Sequence, residues 1–76
     1  MKEVLEYIAR ALVDDPDAVE VTAVEGERSL ILQLRVAPED MGKVIGKKGR
    51  IARAIRSLVR AAASRQGIST LVEIVE

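Results

Sequence analysis

The 76-residue chain contains no cysteine, no histidine, no phenylalanine and no tryptophan, and Tyr7 is its one aromatic residue. Each absence removes a class of function. Without cysteine there is neither a disulfide nor a thiolate metal site. Without histidine the commonest general base, the commonest metal ligand and the usual switch of charge near neutral pH are all missing. A single aromatic ring leaves no platform on which successive bases could stack. No run of eighteen or so apolar residues occurs, so no membrane-spanning helix is expected. Glu3, Glu6 and Arg10 interrupt the apolar stretch that a signal peptide requires. The expectation is a cytoplasmic protein that carries no cofactor and no metal.

What the chain does contain is apolar residues and an uneven distribution of charge. Apolar residues make up 49% of the sequence, enough for a single domain over 1–76 with one modest core. The formal net charge is zero, but the halves differ. Residues 1–40 hold ten acids and four bases, a net of −6. Residues 41–65 hold Lys43, Lys47, Lys48, Arg50, Arg53, Arg56, Arg60 and Arg65 with no acid, a net of +8. Residues 66–76 add Glu73 and Glu76. Total charge argues against a nucleic-acid partner, whereas local charge argues for one.

The periodicities alternate between helical and extended. Val4, Leu5, Ile8, Ala11 and Leu12 recur at three- and four-residue spacing and predict a helix over 2–13. Asp14-Asp15-Pro16-Asp17 ends it, read as a polar turn rather than a metal site. Val19, Val21 and Ala23 alternate with Glu20, Thr22 and Val24 in a strand over 18–25, and Leu30, Leu32, Leu34 and Val36 do the same over 29–36. The short connection around Gly26 predicts an antiparallel hairpin. Pro38 suits a first helical turn and Glu39 and Asp40 suit its positive end, opening a short helix with Met41, Val44 and Ile45 as its apolar side. Gly42 within it suggests close packing or close ligand approach. A longer helix over about 50–65 has Ile51, Ile55, Leu58 and Ala62 as its expected core stripe, with Arg50, Arg53, Arg56 and Arg60 opposite. Gln66-Gly67 stops it, and a last strand follows over 69–75. The order α-β-β-α-α-β is an α+β fold. A three-stranded mixed sheet follows, covered on one face by three helices, the last strand parallel to the second through a two-helix crossover.

The densest signal lies between the last two helices, in Val44-Ile45-Gly46-Lys47-Lys48-Gly49-Arg50-Ile51. Glycine reaches positive φ without steric cost and lets another backbone approach closely. Two glycines around two lysines, just ahead of a helix N-terminus, make a seat for phosphate. Enzymatic and nucleotide fingerprints do not fit. The glycines at 42, 46 and 49 are not spaced as in a dinucleotide site. Gly42 to Lys47 is one residue short of a P-loop, and Lys48 stands where a magnesium-holding hydroxyl belongs. Ser29, Ser57, Ser64 and Ser69 have no histidine to activate them. No enzymatic activity is expected.

A helix–G-x-x-G–helix unit within this order of elements resembles the KH domain, in its type II arrangement, over essentially the whole chain. Leu12 to Asp17, Asp40 to Arg50 and Ala54-Ile55-Arg56 look like the small stand-alone bacterial KH proteins of the KhpA/YlqC type. The resemblance implies a single-stranded RNA binder acting as an RNA chaperone or post-transcriptional regulator. It also implies self-association and pairing with a larger KH-containing protein of the KhpB/Jag type. KH loops clamp about four backbone nucleotides while the bases lie on an aliphatic groove, a mode that suits a chain with one aromatic residue. On that basis Gly46 and Gly49 shape the loop and Lys47 and Lys48 neutralise phosphates. Lys43 and Arg50 flank the site. Ile45 and Ile51 edge the groove or serve the core. Arg53, Arg56 and Arg60 extend a basic track or form a solvated helix face, the second reading being stronger for Arg60 and Arg65. The alternative function is a protein-interaction module on a KH frame, docking an acidic or KH-bearing partner, which would have no need of both glycines and both lysines.

A dimer is the expected working form, because joining two short sites raises avidity by about 10²–10⁴. Ala52, Val59 and Ala63 on one side of the expected core stripe, Ala54 and Ala61 on the other, and Ile68 beyond are the surface for it, unless the other helices cover them.

Overall fold

The computed structural model describes residues 1–75. Helix α1 (Lys2–Leu12), strands β1 (Glu20–Gly26) and β2 (Ser29–Arg35), helices α2 (Met41–Ile45) and α3 (Arg50–Ser64) and strand β3 (Ser69–Val75) follow in the expected order. β1 and β2 pair antiparallel, Glu20 opposite Arg35 and Gly26 opposite Ser29, around a two-residue turn in which Arg28 has φ 60°. β2 and β3 pair parallel, Ser29 opposite Ser69 and Arg35 opposite Val75. A parallel pair cannot be closed by a hairpin, so the chain between them must cross over the sheet, and α2 and α3 lie in that crossover. Among the described residues no helix is long and apolar enough to cross a membrane.

Strand alternation divides the sheet into two faces. Val21, Leu30, Leu32, Leu34 and Val72 turn inward and meet Leu5 and Ala9 of α1, Val44 of α2 and Ile55 and Val59 of α3. Each side chain of leucine or valine size buried this way contributes roughly 1.5–3 kcal/mol. Val44, fully buried, is what anchors the five-residue α2 and therefore the loop that follows it. Among the described residues the other face carries no helix. By register Val24, Ile31 and Leu71 line up across it, with Val24 and Leu71 exposed.

Two helices are turned differently from the expectation. α1 buries Leu5 and Ala9, and Val13 beyond it, at four-residue spacing, and leaves Val4, Ala11 and Leu12 exposed. α3 buries Ala52, Ile55, Val59 and Ala63, leaving Leu58 59% exposed and Ile51 and Ala62 only partly covered. Three of the four stripe positions slide by one residue, a turn of roughly 75° at a period of 3.6. Ile55 belongs to both stripes. The observed one has alanine at both ends, and those small side chains let the helix lie close against the sheet, which the bulk of Ile51 and Leu58 would not. Ala52, Val59 and Ala63 are therefore core and not the open flank expected for self-association, and Ile68 is half-buried against that core. Gly42 is exposed, and a Cβ there would meet nothing within 4 Å, so close packing does not explain it.

Candidate nucleic-acid interface

The turn that carries the two lysines is defined by backbone conformation. α2 closes with the Gly46 N–H donating to the Gly42 carbonyl at 2.9 Å. Gly46 then adopts φ 76°, ψ 173°, a region essentially reserved for glycine. Lys47–Gly49 turns through two overlapping backbone bonds, the Gly49 N–H on the Gly46 carbonyl at 3.1 Å and the Arg50 N–H on the Lys47 carbonyl. Lys48 is left-handed at φ 57°, ψ 26° and Gly49 at φ 74°, ψ 16°. For Gly49 this costs little, whereas for a lysine it costs about 1–2 kcal/mol. Arg50 returns to helical geometry at φ −64° and opens α3.

The result is an exposed, positively polarised corner. Lys47, Lys48 and Arg50 are exposed and make no ion pair among the described residues. Gly49 precedes α3 without a side-chain cap, and the first turn of α3 holds no acid. Its outward N–H groups and the helix dipole therefore add to the lysines' potential. A bound anion is the natural partner for such groups.

The other expected site residues are distributed less simply. Ile45 is 38% exposed at the end of α2, whereas Ile51 packs against the core beneath the loop. Lys43 is committed elsewhere. Its ammonium is paired with Asp14 and lies 3.4 Å from Asp40 Oδ1. Asp40 is the one buried charged residue among those described. Instead of capping α2, its Oδ2 accepts the backbone N–H of Asp15 at 3.0 Å. Burial pushes this carboxyl up, but the backbone amides of Asp15 and Asp14 and the Lys43 ammonium more than offset it, and it lies below its ordinary value. Hydrogen bonding to Asp14, opposed by desolvation, holds the Lys43 ammonium above its own. This network ties the chain after α1 to the start of α2. No local pattern in the sequence announces it, because the partners lie 25 and 29 residues apart.

Two arginines of α3 bind carbonyl groups and so keep their charge. Arg53 Nη2 donates to the Lys48 carbonyl at 3.0 Å. Arg56, half-buried, donates through Nε to the Val72 carbonyl of the edge strand β3 at 3.1 Å. Arg60 is exposed and borders a shallow depression of about 530 Å³ with Ser64, Ile68, Ser69, Thr70 and Leu71. Arg53, Arg56 and Arg60 thus run along α3 from the loop towards the start of β3.

The sequence and the fold are matched among known proteins. The family model for the KH domain of KhpA/KhpB fits residues 2–74. The "RNA-binding protein KhpA" of Clostridium acetobutylicum is 60% identical over 75 residues, covering 99% of this chain and all of that protein. The protein of the same name from Aquifex aeolicus is 46% identical over 76 residues, covering all of this chain and 96% of the relative. Two solved structures share the fold over 96% of this chain and 28% of their own. One is Era of Aquifex aeolicus bound to GDP and aluminium fluoride, with a TM-score of 0.65 at 21% identity. The other is Era with MgGDPNP and nucleotides 1506–1542 of 16S ribosomal RNA, with a TM-score of 0.59 at 20% identity.

Proposed function

This chain belongs to the family of KhpA/KhpB KH domains, and from that premise we propose that it binds single-stranded RNA without catalysis, clamping the phosphate backbone at Gly46–Gly49. The observation that carries the reading is the loop itself. Two exposed lysines stand in a turn that only glycine-permitted backbone angles allow, over a helix N-terminus with no cap and no acid. Lys47, Lys48 and Arg50 take the phosphates. Gly46 and Gly49 allow the sugar–phosphate chain to approach, and Ile45 offers aliphatic surface to a base. Lys43 supports the site through its tie to Asp14 and Asp40, and Arg56 and Arg60 continue the positive track. The relatives' shared name supports the choice of RNA as ligand. The lack of histidine and cysteine supports a binder over an enzyme. The cellular role that fits is that of a cytoplasmic RNA chaperone or post-transcriptional regulator.

Titration with a short single-stranded oligouridine, and with a duplex of the same length, at several salt concentrations tests this. Single strands should bind more tightly. Neutralising roughly three phosphates predicts a log–log salt slope of about −2, at −0.7 per phosphate. A flat response, or equal binding of duplex, would contradict the reading. Capture of an acidic protein in place of RNA would favour the interaction-module alternative.

The working form we propose is a dimer, with a second copy or with a larger KH-bearing protein of the KhpB/Jag type. One groove reads only about four nucleotides, so a joined pair gains avidity. The turned α3 supplies the surface. Leu58 is 59% exposed, and Ala54 and Ala61, on the same side of the helix, are exposed with it.

A further inference from the structure

We infer that Arg53 is a positioning residue, whose guanidinium holds Lys48 in its left-handed conformation and so presents the phosphate-binding turn ready-formed. This rests on the RNA-binding reading of the same loop. Three of the four residues from Gly46 to Gly49 have positive φ, and Lys48 is the one that is not glycine. Side chains other than glycine, asparagine and aspartate visit that region rarely. Here the residue is required to be cationic, so glycine cannot relieve the strain without loss of charge. The turn closes through the Gly49 N–H on the Gly46 carbonyl and the Arg50 N–H on the Lys47 carbonyl, and neither bond engages Lys48 itself.

Arg53 supplies what is missing. It sits one turn into α3, anchored by the neighbouring Ala52 and by Ile55 in the core. From that rigid base Nη2 donates to the Lys48 carbonyl at 3.0 Å. A left-handed residue turns its carbonyl away from the direction a helical residue would give it, so a donor placed there favours the left-handed state over the alternatives. The guanidinium is a planar fork with five N–H groups, so the bond to the carbonyl leaves donors unused and the charge intact. A pre-formed turn spares the ordering that would otherwise be charged against binding. Arg53 then acts mainly through Lys48, and not as one more independent phosphate contact.

A double-mutant cycle separates the two roles. Arg53→Ala should weaken binding of a short single-stranded oligouridine by roughly 5–30-fold, the equivalent of unmasking the left-handed penalty of lysine. In a Lys48→Gly background, where the backbone needs no such help, the same change should cost less than about twofold. Equal losses in both backgrounds would overturn the proposal and make Arg53 a direct contact. A second readout needs no RNA. In the free protein, Arg53→Ala should accelerate amide hydrogen exchange at Gly49 while Leu32 and Val59 keep their protection, which also reports that the core is folded. Unchanged exchange at Gly49 would overturn the proposal. If the wild-type chain fails to bind RNA at all, the functional reading falls, and the exchange measurement alone decides the part Arg53 has in the loop.

Discussion

The side chain of Ile51 occupies the space that a Cβ on Gly46 would need. A methyl group built there falls 2.5 Å from Ile51 Cγ1 and 2.8 Å from its Cβ. The loop and the first turn of α3 are thus packed against each other through the absence of one atom. Gly49, three residues on, has open space where its Cβ would be. The two glycines of the motif are therefore needed for different reasons, one for steric room as well as backbone angle and the other for angle alone.

Gly46→Ala should accordingly be the more damaging of the two changes. It combines a backbone region closed to alanine with displacement of a core-packed isoleucine, and a loss of about 3 kcal/mol or more is expected. Gly49→Ala should cost about 1–2 kcal/mol, and Gly49→Asn less, since asparagine tolerates the left-handed region. Urea unfolding of the three variants provides the check. Equal losses for the two alanine variants would contradict the packing argument.

The Asp40–Lys43–Asp14 network predicts a pH dependence. Asp40 lies below the ordinary aspartate value of about 3.9 when folded. Its contribution is complete above that value and is lost as the pH falls through the lower, folded one. Lys43 lies above its ordinary value of about 10.4, so its contribution is complete below that and is lost as the pH rises through the folded one. Asp40→Asn should therefore lower the thermal midpoint at neutral pH, with the gap to wild type closing under acid. A gap that stays constant down to strongly acid pH would rule out the carboxylate as its cause.

Much of this architecture could be read from the chain. The strands announced themselves because leucines at 30, 32 and 34 alternate without exception, and a period of two leaves one assignment of faces. Gly46 to Gly49 stood out through its surroundings, two lysines between two glycines joining two helices within an α-β-β-α-α-β order, because a G-x-x-G alone is as readily a solvated turn. The rotation of α3 was not legible. Alanines flank its larger apolar residues on both sides, so the sequence offers two stripes sharing Ile55. The choice depends on how closely the helix can approach the sheet, which is a property of the partner surface. The Asp40 tether was invisible for a related reason. Its carboxylate accepts from a backbone N–H at Asp15, brought near only by the fold. Asp40 and Lys43 are three apart, a spacing that suits a pair, but nothing local indicates that Lys43 also faces Asp14 while Lys47 and Lys48 face no carboxylate among the described residues.

The turned α3 makes a sharp prediction about self-association. Leu58→Glu places a charge on an exposed position and should shift a dimer to monomer with its thermal midpoint little changed. Val59→Glu, one residue on, would bury a carboxylate in the core and should unfold the chain. Sedimentation equilibrium from low to high micromolar concentration, paired with circular dichroism, distinguishes them. A dimer that persists in Leu58→Glu would show that the interface lies elsewhere, with the row of Val24, Ile31 and Leu71 on the open sheet face as the next surface to examine.

The most direct test of the central claim is RNA titration of the double variant Lys47→Asp with Lys48→Asp, with thermal unfolding measured on the same preparation. Both side chains are exposed, so each change should cost less than about 0.5 kcal/mol of stability, and aspartate accepts the left-handed backbone at 48 more readily than most residues. Two positive charges of the proposed phosphate clamp become two negative ones. The account predicts an unchanged unfolding midpoint with binding of single-stranded oligouridine abolished. RNA affinity equal to that of the wild type in a folded variant would contradict it.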